Sequence, residues 1–204
     1  PALTPQYSLN YIPISSICAD NLVDERIADK EFLFSNLIPI CEGALKNGVP
    51  RITIPLLEDS NVEDDEKRDT FGKLISELAF KYLNLKFSFE AELEPKKLLE
   101  ILNKMPNFFV TYDTGNITSC GFDHKECVNL LSKHIDNVHL KDRTYDAKTV
   151  EPFTGDTNFK LIFQLLNEIG YNGPYTMQTA RGAEGKEYET IMRHKEIFEG
   201  VFNE

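Results

Sequence analysis

Short apolar runs alternate with longer segments whose apolar residues recur at helical spacing along most of the chain. "RITIPLL" (51–57), "LKFSFEAEL" (85–93), "NFFVTYDTGN" (107–116) and "DNVHLKD" (136–142) are short and rich in β-branched and aromatic residues, which predicts strands. "YIPISSI" (11–17) and "YTMQTA" (175–180) bring the predicted strands to six. Helical spacing is found over 31–48, 65–83, 95–105, 123–134 and 157–170, and again in the tail "EYETIMRHKEIFEGVF" (187–202). Gly48 supplies a helix stop and Pro95 suits a first turn, whereas Pro39 predicts a kink or a split in the first helix. No Pro/Gly/Ser linker interrupts the series, so residues 1–204 are expected to form a single domain.

Strands separated by helices imply a parallel α/β sheet, because parallel neighbours need a crossover. A doubly wound sheet and a barrel both satisfy that pattern. The polar residues separate them. Glu90 and Glu92, Asp113, His139 with Asp142, and Gln178 all fall at strand ends. Reactive groups drawn from the ends of many strands suit a barrel, whereas a doubly wound sheet gathers its ligand at one switch point.

Charge and composition then remove several classes of partner. The chain carries 33 acidic against 22 basic residues, a net charge of -11, which disfavours nucleic acid because phosphate neutralisation needs clustered Lys and Arg. No apolar run is long enough to cross a bilayer, and "PALTPQYSLN" has neither the basic flank nor the apolar core of a signal peptide. The four cysteines form no CxxC and no dense framework, so reduced thiols in a cytoplasmic protein are expected. A glycine-rich dinucleotide loop after a strand is absent, which argues against a nicotinamide dehydrogenase.

"FSFEAEL", "YDTGN", "HLKDR", "TGDTNF" and "GYNGPYTMQTAR", in that order, resemble the xylose-isomerase-like TIM-barrel superfamily, and more closely its sugar-phosphate isomerase/epimerase branch. The resemblance runs over nearly the whole chain and is strongest from about residue 85. It implies that the six strands are the third to eighth of a barrel, so the fold is expected to be a partial TIM barrel of about six βα units. Exposed sheet edges in such a barrel would make self-association plausible.

The resemblance also implies one divalent metal, Mn, Co, Mg or Zn, at the strand ends. Glu90, Asp113, His139 and Gln178 map onto its four ligand positions, and Glu90 onto the catalytic base. The implied chemistry is isomerisation or epimerisation of a small sugar or sugar phosphate through an enediolate. Arg143, Asn116 and Lys141 map onto substrate-binding positions. Two departures bear on the mechanism. Gln178 stands where relatives carry glutamate, and Asn116 where many carry histidine. Glutamine can coordinate through its carbonyl oxygen but cannot accept a proton in catalysis, so a mechanism with one carboxylate on each face is impaired.

Each residue also has a plainer reading: His139 as a satisfied interior histidine, Asp113 as a turn cap, Glu92 as ligand in place of Glu90, Gln178 as a neutral pocket wall. The other three histidines, His124, His134 and His194, are expected on exposed helical faces. The rival function is a non-catalytic carbohydrate-binding or assembly protein. An endonuclease of the three-zinc type is disfavoured by only four histidines and the acidic balance.

Overall fold

The computed structural model describes residues 13–202, which fall into two compact units with the chain boundary between Thr111 and Tyr112. In the first unit β1 (Ile17–Cys18), β2 (Arg51–Leu56), β3 (Lys86–Ala91) and β4 (Phe108–Asp113) pair in parallel, each with the next in sequence. α1 (Lys30–Lys46), α2 (Asp65–Ala79) and α3 (Pro95–Leu102) supply the crossovers. Because chain order and spatial order agree, this unit has no switch point of the doubly wound kind.

Alternation decides what each strand face meets. Ile52, Ile54 and Leu56 of β2, Phe87 and Phe89 of β3, and Phe108 and Val110 of β4 are buried, and Phe71 of α2 packs edge-on against Phe89 at 6.1 Å. Phe89 in turn packs edge-on against Phe108 at 5.2 Å. Burial of each such ring stabilises the fold by roughly 2–3 kcal/mol. The opposite face carries Arg51, Thr53, Ser88, Glu90 and Thr111, polar yet buried. Its hydroxyls satisfy one another, with Ser88 Oγ 2.8 Å from Thr111 Oγ1.

The second unit begins with the last two residues of β4 and continues through α4 (Thr114–Ser119), α5 (His124–Leu131), β5 (Ile135–Leu140), the short β6 (Asp142–Arg143) and β7 (Thr149–Val150), α6 (Phe159–Glu168), β8 (Tyr175–Met177) and α7 (Glu187–Phe202). β5 and β8 pair in parallel, and β6 with β7 antiparallel. Phe159 anchors the helical layer, meeting Phe153 at 4.8 Å and Phe198 of α7 at 5.2 Å.

Several sequence expectations are revised. The strand expected over 11–17 is confined to Ile17–Cys18 among the described residues, and positions 11 and 12 lie outside them. α1 runs unbroken through Pro39, so the expected split does not occur. The turn expected after β4 is the helix α4. His194 is fully buried and His124 and His134 half-buried, against the expectation of exposure for all three. No helix among the described residues is long and apolar enough to cross a membrane.

Candidate metal centre

Asp113 ends β4 and caps α4, and its two oxygens have different partners. Oδ1 accepts the Asn116 N–H at 2.8 Å, the N-cap bond that starts the helix. Oδ2 lies 3.0 Å from Lys141 Nζ and 3.8 Å from His139 Nδ1. The turn-cap reading and the ligand reading of Asp113 are therefore compatible. Burial alone would raise its pKa, but the neighbouring His139 imidazole and the charge of Lys141 outweigh desolvation and bring it down to about 2.

His139 and Lys141 reach Asp113 because they sit two residues apart at the end of β5, on one face of the strand. The register continues the pattern to β8: His139 is opposite Thr176 and Leu140 opposite Met177, and Thr176 Oγ1 donates to Asn137 Oδ1 at 3.2 Å. Gln178, whose N–H donates to Leu140 O at 3.1 Å, is thereby the neighbour of Lys141 on the His139 face. Its side chain is exposed, in contrast to Asp113 and His139, and lines a cavity of about 490 Å3 with Arg181, Glu187 and Thr190.

The two motifs interlock through Thr114 and Gly115. Thr114 Oγ1 accepts the Lys141 N–H at 3.0 Å and donates to Lys141 O at 2.7 Å. A Cβ on Gly115 would stand 2.8 Å from Lys141 Cγ and 3.1 Å from Arg143 Cγ, so the glycine of "DTGN" opens the slot in which both stems lie. Lys141 Nζ also donates to Asn116 Oδ1 at 3.4 Å. Arg143 is half-buried, its Nη1 donating to Ser119 Oγ at 3.3 Å.

Of the residues singled out in the sequence, the second unit brings together Asp113, Asn116, His139 and Lys141. Arg143 borders them through Gly115, and Gln178 shares their strand face. Glu90 is buried near the end of β3 in the first unit. Asp142 is structural. Its carboxylate accepts the N–H groups of Thr154 (3.0 Å), Gly155 (2.9 Å) and Thr157 (3.2 Å), which explains "TGDTN". Sequence reasoning missed the cluster of His124 with Tyr112 and Thr118. The His124 ring takes Tyr112 Oη at 2.7 Å and Thr118 Oγ1 at 3.0 Å, an arrangement that no local pattern announces.

A carboxylate held ionised beside an imidazole, both buried, is a donor set suited to a divalent ion. Metal–ligand bonds of about 2.1 Å can span the 3.8 Å between the two atoms.

The family model for xylose isomerase-like TIM barrels matches residues 7–196. The chain belongs to that family. No curated protein matches it. Among solved structures of this TIM-barrel fold, a D-tagatose 3-epimerase-like protein is 20% identical with a TM-score of 0.75, covering 95% of this chain and 79% of its own. A xylose isomerase-like TIM barrel protein from Mycobacterium smegmatis, in complex with magnesium, is 16% identical with a TM-score of 0.67, over 93% and 73% of the two chains. The IolI protein, with a bound zinc atom, is 17% identical with a TM-score of 0.71, over 84% and 69%. The barrel inferred from polar strand ends is thus the fold of the family, and metal-bearing proteins are among those it resembles.

Proposed function

We propose that this protein is a divalent-metal-dependent isomerase or epimerase of a small sugar or sugar phosphate, built on one barrel domain and working in the cytoplasm. The observation that carries the reading is the buried Asp113–His139 pair, with Asp113 held ionised at the end of a strand. In this reading Glu90, Asp113, His139 and the carbonyl oxygen of Gln178 are the ligands. Glu90 is included because Phe89 is opposite Val110, so alternation puts Glu90 on the strand face that carries Thr111 and Asp113. The four cysteines, all free thiols, accord with a reducing compartment.

A bound divalent ion supplies charge stabilisation for the enediolate that forms when an α-proton leaves the sugar. All other steps fall to side chains. Glu90 removes the proton from the carbon beside the carbonyl. Asn116 and Arg143 orient substrate hydroxyls, and Lys141 holds Asp113 in its ionised form. Gln178 returns no proton, so the reaction is a one-base aldose–ketose isomerisation, in which the proton taken from one carbon is returned to its neighbour on the same face.

The neutral, exposed Gln178 favours a second reading, a carbohydrate-binding barrel without catalysis. Metal analysis combined with solvent deuterium exchange into candidate ketoses and ketose phosphates separates the two. Stoichiometric metal that is lost in His139→Ala, together with deuterium at the carbon next to the carbonyl, is the expected result. Sugar binding without exchange would leave the binding reading in its place.

A further inference from the structure

Lys141 is an unusual companion for a metal-binding carboxylate. Its ammonium lies 3.0 Å from Asp113 Oδ2, the same oxygen that faces His139 Nδ1. The lysine is held there by its surroundings. Its backbone is bound on both sides by Thr114 Oγ1, its stem runs through the slot that Gly115 leaves open, and its head donates to Asn116 Oδ1 at 3.4 Å. Only a tenth of its side-chain surface is exposed.

We infer that Lys141 is a tethered cation that competes with the divalent ion for Asp113, setting the affinity of the centre and making its occupancy depend on metal supply. The inference rests on the metal-dependent reading above. An ion bound to Asp113 Oδ2 would stand within a few ångströms of the ammonium, and like charges that close in a buried site repel strongly. Charge balance gives the same answer. Asp113 is already neutralised by a charge that the fold itself supplies, so an incoming ion gains less from it than from an uncompensated carboxylate. Asn116 contributes as well: its amide oxygen accepts from Lys141 and its neutral side chain does not oppose the ammonium.

The test is titration of the whole protein with Mn2+, followed by calorimetry and by the manganese electron-spin signal, for wild type, Lys141→Met and Lys141→Arg. Thermal unfolding of each variant without metal verifies that it is folded. Lys141→Met should bind Mn2+ at least about tenfold more tightly than wild type, while Lys141→Arg, which keeps the charge, should show no gain. Equal or weaker binding by a folded Lys141→Met, with wild type still binding, overturns the competition and leaves the metal-dependent reading intact. Binding by Lys141→Met alone supports competition in its extreme form and overturns metal dependence of the natural chain. Failure of all three proteins to bind overturns both.

Discussion

Thr114 grips Lys141 through a single hydroxyl, which accepts its N–H at 3.0 Å and donates to its carbonyl at 2.7 Å. That oxygen ties the start of α4 to the end of β5 and sets where the Lys141 side chain begins. Thr114→Val keeps the shape and removes both bonds, leaving the Lys141 carbonyl with the long 3.5 Å bond from Thr157 Oγ1. The expected cost is about 2–3 kcal/mol in urea unfolding, with Thr114→Ser recovering most of it.

Gly115→Ala tests the slot. A methyl group 2.8 Å from Lys141 Cγ forces that stem aside, and Lys141 and Arg143 must both yield. Alanine's helix propensity offsets part of the strain, so a net cost of about 1 kcal/mol is expected. The more telling measurement is the Mn2+ titration, where displacement of the ammonium should tighten binding in the same direction as Lys141→Met.

Asp142 suspends the segment 154–157 from three N–H bonds. Asp142→Ala should cost about 3 kcal/mol, since bonds to a carboxylate are stronger than neutral ones and the donors are partly buried. Hydrogen exchange at Thr154, Gly155 and Thr157 should accelerate well beyond the change at other amides. Uniform acceleration would mean that the carboxylate supports the whole unit instead of this loop.

His124 predicts a pH dependence. Burial lowers its pKa from 6.5 to about 4, against a smaller opposing effect of Asp123. The neutral ring accepts from Tyr112 Oη and donates to Thr118 Oγ1, whose hydroxyl in turn donates to Thr114 O at 2.8 Å. The folded state thus disfavours the proton that the unfolded chain accepts below pH 6.5. Its stabilising contribution is complete above that pH and is lost as pH falls from 6.5 towards 4. Allowing for partial exposure, the loss is about 2 kcal/mol. Unfolding free energies of wild type and His124→Gln between pH 7 and 4 should converge as the pH falls.

Gln178→Glu restores a carboxylate on the face shared by His139 and Lys141. Deuterium exchange into a ketose substrate should rise by about tenfold or more if the proton now has a second acceptor. An unchanged rate would show that the one-base route is sufficient.

The alternation of β and α segments was legible because period 2 and period 3.6 leave different apolar spacings. α4 was not, since Thr114, Gly115, Asn116, Thr118 and Ser119 are weak helix formers and the helix depends on the Asp113 cap. The β6–β7 hairpin escaped notice for a similar reason: two residues per strand carry no period. His194 was legible in principle, because Thr190, His194 and Phe198 recur at four-residue intervals and form the buried stripe of α7. The pairing of Lys141 with Asp113 lay beyond any local pattern. It depends on the register of β5 and on the slot at Gly115, both tertiary facts.

Asp142 also bears on how this chain could acquire new specificity. By holding residues 154–157 in place, it fixes where the backbone returns after the β6–β7 hairpin, whatever the hairpin tip contains. Asp146 and Lys148 at that tip are exposed. The hairpin is therefore a cassette with both ends clamped, in which insertions or exchanged sequences can alter the surface beyond Arg143 while the Asp113–His139 pair stays in register.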